Sequence, residues 1–252
     1  MKQIALITTI ILLCFSFFSC EEKEELNTQR LYLEVKEATV EATEYNVWHY
    51  FSFATGEEVG TGAANAATDK EWAQRKDWDI AFTTLHVRTN GGYSGIKDES
   101  FGGVFEISEL TGTDKALAFN SLVLAPSASK KAYTADAASI ITIGVNPTKT
   151  YISGSNALAS TWISFNTLIG DAGEHTSTRK TFVFRTVDGK YAKVLLKSFI
   201  EGKNGLETRE YIKDPETGKD TDRIKPAEGR RGVITFSYAY QPDGSESVLT
   251  NL

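Results

Sequence analysis

The chain has 252 residues, a formal net charge of −6 and two cysteines, Cys14 and Cys20. An acidic balance of this kind argues against a general nucleic-acid role, which needs a basic face. With both cysteines near the N-terminus, the rest of the chain has no disulfide, thiolate metal site or cysteine nucleophile, and its stability rests on packing one core.

Lys2 precedes an apolar run from Ile4 to Phe18, shorter than the roughly 18–20 residues that cross a bilayer. A positive residue followed by a brief apolar core predicts a secretory signal over 1–19. The run ends at Ser19-Cys20, a small residue before a cysteine, which is the pattern of a bacterial lipobox. Cleavage there leaves Cys20 as a lipidated N-terminus. The competing reading is an ordinary cleaved signal with Cys20 a stray thiol. No later stretch is apolar and long enough to span, so membrane attachment is expected through lipid alone. "EEKEE" (21–25) opens an acidic tether over 20–30, commonly a solvated tail.

Residues 31–252 read as one all-β domain of mainly antiparallel strands. "LYLEVK" (31–36) alternates, "NVWHYFSF" (46–53) is aromatic and β-rich, and "WDIAFTTLHVR" (78–88) predicts a long strand with Trp78, Ile80 and Phe82 on one face. "GGVFEI" (102–107), "SIITIGV" (139–145), "TWISF" (161–165), "KTFVFRT" (180–186), "YAKVLLKSFI" (191–200) and "GVITFSYAY" (232–240) follow, each bounded by turn residues. Asp188-Gly189 predicts a tight hairpin between the 180s and 190s strands. "TNGG" (89–92) predicts a turn after the 78–88 strand. "TDKEWAQR" (68–75) predicts a helix, with Thr68 and Glu71 at capping-box spacing. A second short helix is expected near 113–119. Residues 207–231 are dense in charge without apolar periodicity, and predict a long exposed loop.

Catalytic motifs are missing: there is no Gly-x-Ser-x-Gly, no His-Glu-x-x-His and no phosphate-cradling loop. The reading is therefore that the protein is not an enzyme. His49, His86 and His175 are the only histidines, too far apart for a local zinc or copper motif. His49 lies mid-strand, His86 near a strand end, and His175 in a polar, glycine-containing loop after the Trp162 strand. The four tryptophans, Trp48, Trp72, Trp78 and Trp162, could form stacking platforms for sugars, although strand patterning favours core packing.

"YNVWHYFSFATGEEV" (45–59), "WDIAFTTLHVRTNGGYSG" (78–95), "TWISF" (161–165), "FVFRTVDGKYAKVLL" (182–196) and "GVITFSYAY" (232–240) together resemble the HmuY family of surface haem-binding lipoproteins. The resemblance implies an all-β fold, outer-membrane localisation on the cell surface, haem as the cofactor carried, and delivery to an outer-membrane TonB-dependent transporter. It also implies haem ligands in two places. One follows the "W-x-x-F-x" strand, where this chain has Thr167. The other lies in a segment matching roughly 130–147, which here has no histidine. Protein ligands to haem iron are His, Met, Cys or Tyr. The candidates are therefore His175 and Tyr133 as metal ligands, with His86 as a further cofactor-binding residue. Phe119 and Tyr151 are candidates for gripping the porphyrin, and Lys130, Lys131, Arg179 and Lys180 for its propionates. Two other readings stand beside haem: a binder of another small molecule such as a siderophore or an iron-free porphyrin, and a glycan-binding or adhesion module.

Overall fold

Alternating apolar residues build two antiparallel sheets whose facing sides make the main core. The computed structural model describes residues 32–107, 115–127, 132–143, 149–166, 174–202, 211–224, 228–248 and 250, within one unit, Tyr32–Leu252. The expected signal and tether lie outside the described residues. In chain order the described strands begin with β1 (Lys36–Glu41), β2 (Val47–Ser52), β3 (Glu57–Ala63), β4 (Ile80–Thr83) and β5 (His86–Thr89). Next come β6 (Gly103–Glu106), β7 (Ala137–Ile143), β8 (Lys149–Ser155), β9 (Ile163–Asn166) and β10 (Glu174–Ser177). The last are β11 (Thr181–Arg185), β12 (Tyr191–Ile200), β13 (Tyr211–Lys213), β14 (Asp220–Ile224) and β15 (Arg231–Gln241). Helices α1 (Ala66–Ala73) and α2 (Lys115–Ser121) and a 3-10 turn at Ala159–Trp162 complete the described elements.

One sheet runs β1-β15-β12-β11-β6 and the other β3-β2-β4-β5. The pairs β7–β8, β9–β10 and β13–β14 are two-stranded ribbons. All pairings between these strands are antiparallel, as the all-β reading expects. Phe182, Phe184, Val194, Leu196, Ile234 and Phe236 of the larger sheet meet Phe51, Ile80, Phe82 and Val87 of the smaller. Burying a side chain of this size contributes roughly 1.5–3 kcal/mol. Val183, Tyr191 and Leu195, one step out of phase, face the opposite side and pack with Phe119 of α2 and Leu33. On the outer side of the smaller sheet Trp48, Tyr50, Trp72, Trp78 and Ala81 form a third cluster, in which Tyr50 stacks on Trp72 of α1 at 3.7 Å.

Several sequence expectations need correction. The first strand is Lys36–Glu41, and Leu33 makes only an isolated bridge to Thr250. The expected long strand over 78–88 is a hairpin: β4 and β5 pair Thr83 with His86 around a two-residue loop, where Thr84 takes φ 48°. Trp78 precedes β4 and belongs to the third cluster, not to the Ile80 and Phe82 face. The N-cap of α1 is Asn65, whose side chain accepts from the Ala67 and Thr68 amides at 3.0 Å each. Residues 211–224, expected as loop, form the β13–β14 hairpin. "TNGG" does not reverse the strand. Gly91 instead packs so tightly on Gly102 that a Cβ would come within 2.0 Å of the Gly102 carbonyl oxygen, a close backbone approach open only to glycine.

Candidate functional site

The β7–β8 ribbon has two unlike faces. In exact register Ile141 opposes Tyr151 and Ser139 opposes Ser153 on one face, while Ile140 opposes Ile152 and Ala138 opposes Gly154 on the other. The first face is covered: Ile141 and Ser153 are buried. The second is open, with Ile140 70% and Ile152 61% exposed. Tyr93, 53% exposed, extends this open surface. A Cβ on Gly154 would lie 3.1 Å from its ring and 2.0 Å from Ser94 Oγ, so the missing side chain at Gly154 lets the 93–94 segment lie against the ribbon. Ile140, Ile152 and Tyr93 thus present large apolar groups to solvent. Contiguous exposed apolar surface marks an interaction site, whereas single exposed hydrophobes are ordinary.

The covered face rests on a buried charge. The Arg88 guanidinium, 1% exposed, lies 3.8 Å over the Trp48 ring and pairs with Asp69 of α1 at 3.1 Å. It also donates to Tyr50 Oη at 3.0 Å, to the Gly154 carbonyl at 3.2 Å and to Ser153 Oγ. Ser153 Oγ in turn donates to Asp69 at 2.6 Å. Arginine suits this place because its planar fork stacks and donates in several directions at once.

The root of the ribbon is clamped from both strands, at the end where Ala137 opposes Ser155. Asp136, immediately before β7, accepts from the Thr89 amide at 3.0 Å, Thr89 Oγ1 at 2.8 Å, Ser94 Oγ at 2.7 Å and Asn156 Nδ2 at 3.2 Å. Asn156, just after β8, donates its backbone amide to the Val87 carbonyl at 2.7 Å and its side chain to the Thr134 carbonyl at 2.7 Å. Burial pushes the Asp136 carboxyl up to about 6, partly offset by Ser94 and Thr89. The "VRTN" stretch is therefore framework with a purpose: Arg88 supports the ribbon and Thr89 holds its root.

The second ribbon, β9–β10, pairs Phe165 with His175. At its base the Thr178 amide donates to the Trp162 carbonyl at 2.7 Å, and Arg179 takes φ 54°. The buried Nε of Arg179 has no partner among the described residues. Lys180 is committed, to Glu106 at 3.0 Å and Thr161 Oγ1 at 3.1 Å. Lys130, Lys131 and Thr167 lie outside the described residues.

The sequence-derived donors separate in space. His49 sits on the central strand β2 with Nδ1 held by Glu58 at 3.0 Å. His86 begins β5, where burial lowers its pKa and keeps the imidazole neutral. Tyr133 packs against Phe105 and Tyr191 and donates to the Pro126 carbonyl at 2.8 Å. Burial raises its pKa, the opposite of what a phenolate ligand to ferric iron requires. Tyr151 stands on the covered face of its ribbon, and burial pushes its phenol up to about 12. Phe119 is buried beneath α2 beside Lys193, which donates to the Phe119 carbonyl at 2.9 Å. His175, expected in a loop, lies instead in strand β10, where pairing with β9 draws the polar segment into a ribbon. All four tryptophans are buried, which removes them as sugar platforms. Among the described residues no group of three or more His, Cys, Asp or Glu side chains is arranged to hold a metal ion. Sequence reasoning missed Ile140, Ile152 and Tyr93. The available signal was Ile140-Ile141, two adjacent large apolar residues in a strand, of which only one can face the core.

Two facing antiparallel sheets with clamped ribbons define an all-β scaffold whose distinctive surface lies on its ribbons. The HmuY protein family matches residues 44–213, and the chain belongs to that family. A Bacteroides vulgatus ATCC 8482 protein assigned as HmuY-like and haem-binding has a similar structure, with TM-score 0.52 and 20% identity over 81% of this chain and 90% of its own. A Bacteroides fragilis NCTC 9343 protein described as a lipoprotein is similar at TM-score 0.51 and 20% identity, over 82% and 91%. Apo PinO from Porphyromonas gingivitis is similar at 0.50 and 19%, over 82% and 97%. At these identities the likeness shows the fold. No curated protein matches the chain.

Proposed function

We propose that the protein is a cell-surface lipoprotein that binds haem or a related porphyrin and passes it to an outer-membrane TonB-dependent transporter. The observation that carries the reading is the Ile140–Ile152 pair, two large side chains held in solvent on a clamped ribbon, inside the segment that matches the HmuY family. A flat apolar macrocycle is a ligand that such a face can cover. Arg179, whose buried Nε has no partner among the described residues, is a candidate for a propionate, since guanidinium–carboxylate contacts are strong and directional. His175 is the candidate imidazole for haem iron. The role is carriage without a chemical step.

Anchoring through Cys20 follows from the lipobox-like Ser19-Cys20 after the apolar run. Among the described residues no helix is long and apolar enough to cross a membrane. The binding reading is tested by titrating the purified protein with hemin. A saturable Soret shift distinct from that of free hemin is expected. A spectrum that remains that of free hemin at every ratio overturns the reading.

A further inference from the structure

We propose that the Tyr93 phenolate ligates the ferric iron of a haem seated on the open face of the β7–β8 ribbon. The inference rests on the porphyrin reading above and deepens it by naming a donor atom on that face.

Position comes first. Side chains alternate along a strand, so Gly154 shares its face with Ile152, and across the ribbon stand Ala138 and Ile140. A Cβ on Gly154 would meet the Tyr93 ring and Ser94, which places both residues on that face, one cross-strand pair along from the two isoleucines. Two residues of strand span about 7 Å, a step that one flat macrocycle bridges. The backbone beneath is fixed. The Tyr93 amide donates to the Asp136 carbonyl at 3.0 Å, and the Ser94 amide to the Gly91 carbonyl at 3.2 Å. Ser94 Oγ donates to the Asp136 carboxyl at 2.7 Å. The Tyr93 side chain is 53% exposed, and its hydroxyl has no hydrogen-bond partner among the described residues. A donor on ordered backbone loses little freedom on binding.

The chain's inventory of donors singles out the same residue. Protein ligands to haem iron are His, Met, Cys or Tyr. Met1, Cys14 and Cys20 lie near the N-terminus, and all three histidines and ten tyrosines fall within the described residues. Burial raises the phenols of Tyr50, Tyr133 and Tyr151 above their ordinary value, which opposes the anionic form that iron binds. Tyr191 and Tyr238 are buried in the core, and Tyr240 belongs to β15. The other exposed tyrosines stand elsewhere. Tyr32 precedes Leu33, which bridges Thr250, Tyr45 precedes β2, and Tyr211 is on β13. His49 is on β2 with Nδ1 on Glu58, His86 begins β5, and His175 belongs to the other ribbon. Tyr93 is the donor-type residue whose contacts set it on the open face. On coordination its O–H bond breaks, the proton passes to water, and Oη gives an electron pair to ferric iron with no change of oxidation state.

The test compares wild type with Tyr93→Phe, which keeps the ring and removes the oxygen, using hemin and iron-free protoporphyrin IX as probes. The wild-type hemin complex is expected to show phenolate ring modes in its resonance Raman spectrum, excited in the phenolate-to-iron charge-transfer band. In Tyr93→Phe those modes should vanish and the hemin Kd should rise by at least about tenfold, while the protoporphyrin Kd stays within about twofold of wild type. A wild-type hemin complex without phenolate modes, or modes that persist in the variant, overturns the inference and leaves the porphyrin reading intact. An equal loss of affinity for both probes also overturns it, by making Tyr93 an apolar contact only. Failure of wild type to bind either probe overturns the inference and the porphyrin reading together.

Discussion

Arg88 lies over Trp48, its guanidinium carbon 3.8 Å from the ring centroid, and from there pairs with Asp69 of α1. A buried charge with one carboxylate partner is costly to disrupt, because removing the cation strands the anion. Arg88→Ala should therefore lower unfolding stability by about 3–5 kcal/mol, measured by urea denaturation. Arg88→Lys should recover less than half of that loss, since an ammonium cannot stack on Trp48 and reach Tyr50, Ser153 and Gly154 together.

The 84–85 loop makes the reverse prediction. Thr84 is β-branched and holds φ 48°, a region such residues resist. The two-residue hairpin loops that suit a strand pair favour glycine at their first position. Thr84→Gly should raise stability by about 1 kcal/mol, seen as a higher denaturation midpoint with an unchanged slope.

Gly91 tests whether the "TNGG" block is framework. Its α-carbon faces the Gly102 backbone with no room for a methyl group, and the Gly102 amide donates to the Asn90 carbonyl at 3.1 Å. Gly91→Ala should destabilise the fold by more than about 2 kcal/mol. A variant with wild-type stability would show that the close approach is dispensable.

Two buried carboxyls set a pH dependence. Burial pushes both Asp79 and Asp136 up to about 6, against an ordinary value of 3.8. A native pKa above the unfolded one means that the folded state holds the proton more tightly. That contribution is complete below about pH 4 and is lost as pH rises through 6. For Asp136 the loss amounts to about 2 kcal/mol between pH 4 and pH 7. Denaturation of wild type and Asp136→Asn across that range should show the wild type losing this amount relative to the variant. A constant difference would contradict the burial effect.

The strands most legible in the sequence are those buried on both faces. β12 was read at its observed bounds, Tyr191–Ile200, and β15 within a residue at either end. β3, "EEVGTGA", β8, "KTYISGS", and β10, "EHTS", were not read, because glycine, serine and threonine there give little apolar periodicity. These strands are specified by the partners they pair with, and β8 supplies half of the candidate site. The 80–89 hairpin was hidden because Thr84-Leu85 lacks the Asn-Gly or Asp-Gly signal. The support beneath the ribbon was illegible for a different reason. Arg88 meets Asp69, Tyr50 and Ser153 only through tertiary folding, and no spacing rule joins residues so placed. The family resemblance, by contrast, was carried by framework blocks, which preserve fold while leaving ligand chemistry free to change.

The account stands on the open face of the β7–β8 ribbon as the porphyrin-binding surface, and a hemin titration of the double variant Ile140→Asp/Ile152→Asp tests it most directly. Both side chains are in solvent, so the variant should unfold within about 1 kcal/mol of wild type. Its hemin spectrum should stay that of free hemin under conditions that saturate wild type. A stable double variant that binds hemin with wild-type affinity would contradict the assignment.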